Sequence, residues 1–230
     1  MRGGDLLHTA VARDLGIAIV QGRHAPGEVL PGELAAVQAL KISRPAYREA
    51  IRMLAAKNLV EIRPKSGTRV LPRRQWNLLD PDVLGWILQN SPPDTFLTAL
   101  FDVRMIVEPA AAAFAAQRRT QAHLEQMADA LDVMGRHPHD SPEGQAADEA
   151  FHRVLLDAAD NEVLSQLASV IGASVGYIAE YKRERHVPRD PKPDHDALFR
   201  AIAARRSEAA RAIVQNLIAH AREDTEPLFP

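Results

Sequence analysis

One hairpin signal in an otherwise helical pattern constrains the fold of this chain more than any other feature. Residues 59–63 and 68–71 are rich in aliphatic and β-branched side chains, and the turn formers Pro-Lys-Ser-Gly at 64–67 separate them. This arrangement predicts two short antiparallel strands joined by a glycine-containing turn. Almost no strand signal follows Arg74, so the sequence predicts a mainly α protein with one small β-element.

Three helices are predicted ahead of this hairpin. Apolar residues recur at helical spacing over about 6–21 and 32–40, and a third helix is predicted from Ser43 onward. Ser43 can cap this helix through its hydroxyl, while Pro45 lies in the first turn, where its missing N–H costs nothing. Three helices and a hairpin predict a winged helix-turn-helix DNA-binding domain over residues 1–74.

The remaining sequence is predicted to form an all-helical domain at 80–230, after a short linker at 75–79. A length of 230 residues suits two domains of ordinary size. The predicted fold is therefore mainly α, with an N-terminal winged helix-turn-helix and a C-terminal all-α helical bundle. The helical periods of the second domain fall at about 80–90, 93–118, 120–136, 143–159, 161–185, 193–205 and 207–223.

The charge is distributed unevenly between the two predicted domains. Residues 1–74 carry 13 Lys/Arg against 6 Asp/Glu, a net charge of +7, whereas the remainder carries 15 against 24, a net charge of −9. Such an asymmetry favours a polyanionic partner for the first domain and a different task for the second. An ordinary basic face is the alternative that charge alone leaves open.

The cysteine count and the first residues limit the class of protein. The absence of cysteine excludes a disulfide framework, a thiolate zinc site and a cysteine nucleophile, and it fits a reducing compartment. The first residues include Asp5 and Asp14 and hold no long apolar run, which predicts neither a signal peptide nor a membrane span. We therefore expect a cytoplasmic protein.

The third predicted helix carries a row of arginines. Arg44, Arg48 and Arg52 are spaced by four, so their guanidinium groups lie near one face, as in a helix that reads the major groove of double-stranded DNA. A solvated helix face is the alternative, but the hairpin adds donors that would lie beside the neighbouring groove. Ser43 at the start of this helix is a further candidate DNA contact, and the candidates in the hairpin are Lys65, Ser66, Gly67 and Thr68.

A carboxylate and two imidazoles form the second candidate site. Asp148 and His152 lie at i and i+4 on one helix face, as two ligands of one metal ion would, and His195 lies on a later helix. A hydrogen bond on the helix surface is the alternative for the first two. A metal-dependent hydrolase with an open position for water is a remote reading, because no general base stands out and the winged-helix domain would have no purpose. We therefore expect no enzyme.

The first domain resembles the DNA-binding domain of GntR-family transcription regulators. The resemblance rests on residues 26–33 (PGEVLPGE), 43–51 (SRPAYREAI) and 59–70 (LVEIRPKSGTRV). It implies a dimeric repressor in which the two arginines of the second segment contact operator DNA and the wing glycine enters the minor groove. Leu34 departs from the pattern, since family members usually carry an arginine there.

The helical domain resembles the FCD effector domain of the FadR subgroup. In that domain an aspartate and three histidines ligate a divalent metal such as zinc inside a helical bundle, which implies Asp148, His152 and His195 as ligands here. The fourth position falls on Leu217, with His220 three residues further along. Three arrangements remain open: ligation by His220, a water or effector oxygen in the fourth position, or a site without metal.

The same resemblance points to residues that bind a small acidic effector. It implies that Arg104 faces the effector cavity, where a guanidinium group suits a carboxylate. An intrahelical bridge to Glu108 is the alternative, and both can hold at once. Asn161 matches a common family residue but is equally a helix cap, and the three metal-ligand candidates complete the implied effector site.

A narrower resemblance extends over nearly the whole chain. Residues 76–86, 103–110 and 195–202 are similar to the branch of this subgroup that represses galactonate operons. This implies a homodimeric repressor of a sugar-acid operon that responds to an aldonate such as galactonate. A regulator of the same architecture that senses a uronate or a small organic acid is the alternative. The sequence leaves open whether the effector releases or strengthens DNA binding.

Overall fold

A computed structural model describes residues 3–90, 92–184 and 189–225 of the chain. The chain divides into two compact units, Met1–Pro92 and Pro93–Pro230. The first contains the hairpin, and the described part of the second is helical throughout. The structure confirms the predicted fold class of a winged helix-turn-helix plus a helical bundle.

The first unit follows the predicted order of three helices and a hairpin. The two strands are antiparallel, with Val60 opposite Val70, and Val29 forms an isolated bridge with Arg69 beside them. The elements of this unit are α1 (Gly3–Val20), α2 (Glu33–Leu40), α3 (Arg44–Ala56), β1 (Val60–Arg63), β2 (Gly67–Val70) and α4 (Pro81–Leu88).

Helix α3 owes its ends and its orientation to a few side chains. The Ser43 hydroxyl accepts a hydrogen bond from the Ala46 amide at 3.3 Å, which caps the helix as predicted. One face of α3 packs into the unit through Tyr47, Ile51 and Leu54, all buried. The opposite face is left to solvent, and this face carries the arginine row.

Helix α4 lies in the first compact unit, whereas the sequence predicts a second domain from residue 80 onward. Two contacts hold it there. The Lys57 ammonium at the end of α3 lies 2.9 Å from Asp80 and 2.7 Å from Asp82, at the start of α4. The Trp86 ring packs against Gly16 of α1, where a side chain would overlap the ring. Such contacts join segments distant in sequence, so periodicity alone does not reveal them.

The second unit is a bundle of helices around one large buried cluster. Helix α7 packs against both α6 and α9, while α11 packs against α5 and α10. Large fully buried side chains of this core include Phe151, Leu155, Leu198 and Ile218. Its elements are α5 (Asp94–Arg118), α6 (Gln121–Arg136), α7 (Pro142–Asp157), α8 (Glu162–Ser165), α9 (Ala168–Glu184), α10 (Lys192–Ala203) and α11 (Ser207–Glu223).

The helix predicted over 161–185 is broken in the structure. Asn161 caps the short α8 by accepting hydrogen bonds from the amides of Val163 and Leu164. A turn at 166–167 then separates α8 from α9. Leu167 keeps the apolar spacing through the turn, which explains why the periodicity predicts one continuous helix; residue 185 lies outside the described residues.

Across the residues that the structure describes, no helix combines the length and the apolar character needed to span a membrane.

The contact between Gly16 and Trp86 leads to a stability prediction. We expect Gly16→Ala to lower the free energy of unfolding of the first unit by about 1–3 kcal/mol, because the new methyl group overlaps the Trp86 ring. Urea unfolding followed by tryptophan fluorescence measures this, since both tryptophans, Trp76 and Trp86, lie in the first unit. Gly85→Ala in α4 is the matched control, because open space surrounds that position. An unchanged midpoint for Gly16→Ala would contradict the packing.

Candidate metal centre and nucleic-acid interface

The exposed face of α3 presents the three predicted arginines to solvent. Arg48 lies 3.9 Å from Glu33, and Arg52 lies 3.2 Å from Glu49, and all four side chains are at least one-third exposed. Exposed pairs of this kind contribute little to stability. These arginines, together with the exposed Arg44, can therefore exchange a weak carboxylate contact for a phosphate at small cost.

The hairpin brings a second set of donors beside α3. Its turn requires positive φ angles at Lys65 and Gly67, of 64° and 83°. Lys65, Ser66 and Gly67 are exposed, so the tip of the hairpin is free to approach a partner closely. A groove of about 350 Å³ lies between α2, α3 and the hairpin, and its lining includes Arg48, Arg52, Arg63, Gly67 and Thr68.

Two residues on this face are not simple hydrogen-bond donors for DNA. The Ser43 hydroxyl is engaged as the helix cap, so its predicted DNA contact would compete with the Ala46 amide. Leu34 is 60% exposed near the start of α2, at the position where the family pattern has an arginine. Leu34 offers the face an apolar contact in place of a charged one.

The predicted carboxylate and imidazoles meet in the second unit. Helix α7 places Asp148 and His152 one turn apart, and α10 brings His195 against them. The Asp148 Oδ1 atom lies 3.0 Å from Nε2 of His195 and 3.4 Å from Nε2 of His152. Within the described residues, these three form the group whose ligand atoms lie within 4.8 Å of one another.

The outer nitrogen of each imidazole has a partner that fixes the ring. Nδ1 of His195 lies 2.9 Å from the Pro191 carbonyl oxygen, so Nδ1 carries the proton. Nδ1 of His152 lies 2.6 Å from Oε2 of Glu108, in an ion-pair contact that is not aligned as a hydrogen bond, and the adjacent carboxylate favours a proton on Nδ1. Both Nε2 atoms therefore face inward, 3.3 Å apart. Partners on the far nitrogen are what metal-ligating histidines have.

The donor set of this cluster suits a divalent cation. Oδ1 of Asp148 is buried and has no hydrogen-bond partner among the described groups. One carboxylate oxygen and two inward imidazole nitrogens thus lie within 4.8 Å of one another. This combination of nitrogen and oxygen ligands is typical of zinc and similar ions.

Buried charges around the cluster shift its pKa values strongly. Burial raises the pKa of Glu108, but Arg104 and His152 outweigh burial and lower it to about 2. Burial likewise raises the pKa of Asp148, and the two histidines hold it well below its usual range. Burial lowers the pKa of His152, whereas Glu108 and Asp148 raise it to about 9. In the metal-free protein His152 is therefore protonated at neutral pH, and a cation must displace its Nε2 proton.

The fourth position of the implied metal site holds no ligand atom. Leu217 is buried there and lines the adjoining cavity. His220 also lines the cavity, but its Nδ1 lies 3.1 Å from Oδ2 of Asp194, and it is outside the group of three. The described residues therefore offer three protein ligands, next to a cavity of about 50 Å³.

Arg104 satisfies both interpretations of its role. Its side chain is 2% exposed, and its Nε atom lies 2.6 Å from Oε1 of Glu108, which is the intrahelical bridge. Arg104 also lines the cavity beside Asp148 and His152. The bridge uses one nitrogen of the guanidinium group, which has further donors to offer a ligand.

The cavity wall also contains charged groups that were not among the site residues predicted from the sequence. Lys182 of α9 is almost fully buried, and its Nζ lies 2.6 Å from Oδ2 of Asp224, at the end of α11. Arg189 lies 3.4 Å from the other oxygen of Asp224. The sequence contains a signal for the burial of Lys182, because this residue follows Ile178 by four positions on the buried face of α9.

The structure does not bring Asn161 to this cavity. Its side chain is exposed and caps α8, and it is absent from the residues that line the cavity. The predicted contact of Asn161 with an effector thus has no support from its position.

The two units match two known sequence families. Residues 7–70 match the bacterial regulatory proteins of the gntR family, and residues 99–220 match the FCD domain. The galactonate operon transcriptional repressor of Escherichia coli (strain K12) is 36% identical over 208 residues, or 89% of this chain and 90% of that protein. The HTH-type transcriptional regulator LutR of Bacillus subtilis (strain 168) is 31% identical over 201 residues, or 84% and 90%.

A solved structure shows the same fold. It is that of Lar, described as controlling the expression of the Listeria monocytogenes agr system. It matches with a TM-score of 0.64 at 18% identity, and the match covers 99% of this chain and 98% of that one.

Proposed function

Because this chain belongs to the GntR family of bacterial regulatory proteins and carries an FCD domain, we propose that it represses a sugar-acid catabolic operon and that the acid releases it from DNA. Proteins of this family are transcription regulators rather than enzymes. They bind operator DNA through the first domain and small effectors through the FCD domain. Operator DNA as the partner implies a cytoplasmic site of action.

The exposed arginine row and the hairpin support the DNA half of the proposal. In this arrangement α3 enters the major groove, where Arg44 and Arg48 can meet guanine edges or phosphates. Arg52 lies two turns further along and suits a phosphate. The hairpin tip at Lys65 to Thr68 then reaches the adjacent groove.

We choose an aldonate as the effector because the cavity wall contains both positively and negatively charged groups. Asp194 and Asp224 line the cavity together with Lys182 and Arg189, so the wall offers acceptors as well as donors. A hydroxyl both donates and accepts, whereas a carboxylate only accepts. A ligand with one carboxylate and several hydroxyls, such as an aldonate, therefore fits this wall better than a simple organic acid. The 36% identical repressor of a galactonate operon supports galactonate as the first acid to test.

We further propose that a divalent ion, zinc or a similar metal, binds between Asp148, His152 and His195. When bound, the ion would supply positive charge for the acid's carboxylate. Arg104 would hold the other side of that carboxylate through its free guanidinium donors. The apolar Leu217 leaves the remaining position on the ion to an effector oxygen or a water.

An apolar stripe on α5 supports assembly as a homodimer. Val103 is 38% exposed and Ile106 is 74% exposed, while other residues of α5 pack against α11. A second copy of the chain offers the same stripe, and twofold pairing of identical patches is the commonest way to bury one. A dimer also matches the two half-sites of a palindromic operator.

Release requires that the effector bind the released state better than the DNA-bound state. A preference of 100-fold corresponds to about 2.7 kcal/mol, enough to empty an operator held with modest excess affinity.

A second candidate is a regulator of the same architecture that senses a uronate or a small organic acid. The matching relative LutR, of similar coverage, is not described as a galactonate regulator. Arg104 and the three candidate metal ligands suit the carboxylate of any of these acids. The two candidates therefore differ in how the rest of the acid fits the groups around Asp224.

We expect Arg44→Ala to weaken operator binding by about 1–3 kcal/mol at one base pair if Arg44 reads that base, or uniformly across sequences if it contacts only phosphate. Fluorescence anisotropy with the DNA upstream of the chain's own gene, and with single-base variants of it, measures this. Arg13→Ala is the control, because Arg13 is exposed on α1 and lies 3.4 Å from the neighbouring Asp14. Wild-type affinity for Arg44→Ala would remove this residue from the interface.

We expect D-galactonate to release the protein from that DNA, while lactate, which lacks the hydroxylated tail, does so far less well. The same anisotropy assay at fixed salt, titrated with galactonate, a uronate and lactate, compares the three acids. Arg104→Ala should keep DNA binding and lose release, since it removes the proposed carboxylate anchor. Release by lactate alone would favour the second candidate, and indifference to every acid would overturn the effector assignment.

We expect Ile106→Glu to convert the dimer into a monomer, because the charge would be buried in the apolar interface. Light scattering coupled to size-exclusion chromatography gives the mass of the particle. Val163→Glu on α8 provides the control, as Val163 is also 74% exposed. A dimer that survives Ile106→Glu would place the interface elsewhere.

A further inference from the structure

Glu108 is a fully buried carboxylate whose two oxygens serve two different helices. Oε1 lies 2.6 Å from Nε of Arg104 on its own helix α5, and Oε2 lies 2.6 Å from Nδ1 of His152 on α7. Glu108 itself does not line the cavity, whereas both of its partners do. Glu108 therefore lies behind the cavity wall and contacts the two residues that form part of it.

An ion pair with Arg104 alone would need only one of these oxygens. The second oxygen faces the nitrogen of His152 that points away from Asp148 and His195. A lone pair on that nitrogen would be repelled by the carboxylate, so Nδ1 carries the proton and Nε2 is left to face the two other candidate ligands. The placement of Glu108 thus decides which nitrogen of His152 a cation can reach.

We propose that Glu108 is a positioning residue that keeps His152 in its Nε2-ligating form and holds Arg104 at a fixed distance from the metal. One carboxylate then sets the spacing between the cation and the guanidinium group that share the effector's carboxylate. The inference rests on the proposed metal site and assigns to Glu108 a role in both metal affinity and effector binding. Carboxylates behind metal-bound histidines act in this way by orienting the ring and raising its basicity.

Glu108→Gln tests the proposal with little change in shape. The amide places an NH2 group against either Nε of Arg104 or Nδ1 of His152, and both of those atoms are donors. We expect zinc affinity, measured by calorimetric titration in competition with a chelator, to fall about 10–100-fold. In the zinc-loaded protein, ¹⁵N spectra of the histidines should show His152 bound through Nε2 with a proton on Nδ1. The same spectrum of Glu108→Gln should lose this pattern.

Two further variants separate this role from general damage to the core. Glu149→Gln changes a neighbouring carboxylate of α7 that faces Gly176 instead of the cluster, and it should keep wild-type zinc affinity. Arg104→Gln removes only the other partner of Glu108, so it should keep zinc affinity within a few-fold and lose effector release. Circular dichroism and thermal unfolding of each variant report that it is folded.

The outcomes distinguish the role of Glu108 from the presence of the metal site itself. Equal zinc affinity and equal His152 spectra for Glu108→Gln and wild type would overturn the role of Glu108 and leave the proposed metal site intact. No zinc uptake by the wild type would overturn the metal site and this inference together. If Glu108→Gln does not fold, Glu108→Asp decides by the same titration, because its shorter side chain keeps the charge but cannot reach both partners.

Discussion

A continuous line of buried polar and charged side chains holds the helices of the second unit in place. Arg104, Glu108, His152, Asp148 and His195 follow one another at separations of 2.6–3.4 Å and come from helices α5, α7 and α10. Removing one member would leave a neighbouring charge buried without a partner, which costs several kcal/mol. The three helices are therefore fixed relative to one another by electrostatics as well as by the apolar core. A ligand at this line meets a framework that is already organised.

The charges of the first unit are arranged on the opposite principle. The arginines of α3 are exposed, and their contacts with carboxylates are weak and solvated, so the structure of the protein depends little on them. Stability comes instead from the apolar face of α3 and from the fastening of α4 by Lys57 and Trp86. The basic first unit thus leaves the charges of α3 exposed for a partner, whereas the acidic second unit uses buried charges to hold its fold together.

The sequence predicted what depends on spacing within one element. The hairpin, the cap at Ser43 and the pairing of Asp148 with His152 all follow from short separations along the chain, and the structure shows each of them. It could not predict the link from Glu108 to His152, because the partner lies on another helix more than forty residues away. The same limit explains why the boundary predicted at residue 80 does not coincide with the end of the first unit at Pro92. The family pattern located Leu217, but only the structure shows His220 engaged with Asp194.

Because the arginines of α3 are exposed, DNA binding by this protein would depend on the salt concentration of the cell. Each cation that meets a DNA phosphate displaces a condensed counterion, so the binding constant falls as a power of the salt concentration. Arg44, Arg48 and Arg52 lie together with Lys65 on one surface, and a dimer would double their number. Occupancy of the operator would then follow the ionic strength of the cell as well as its supply of effector. Under the proposed function, an osmotic shock would shift the concentration of acid at which transcription begins.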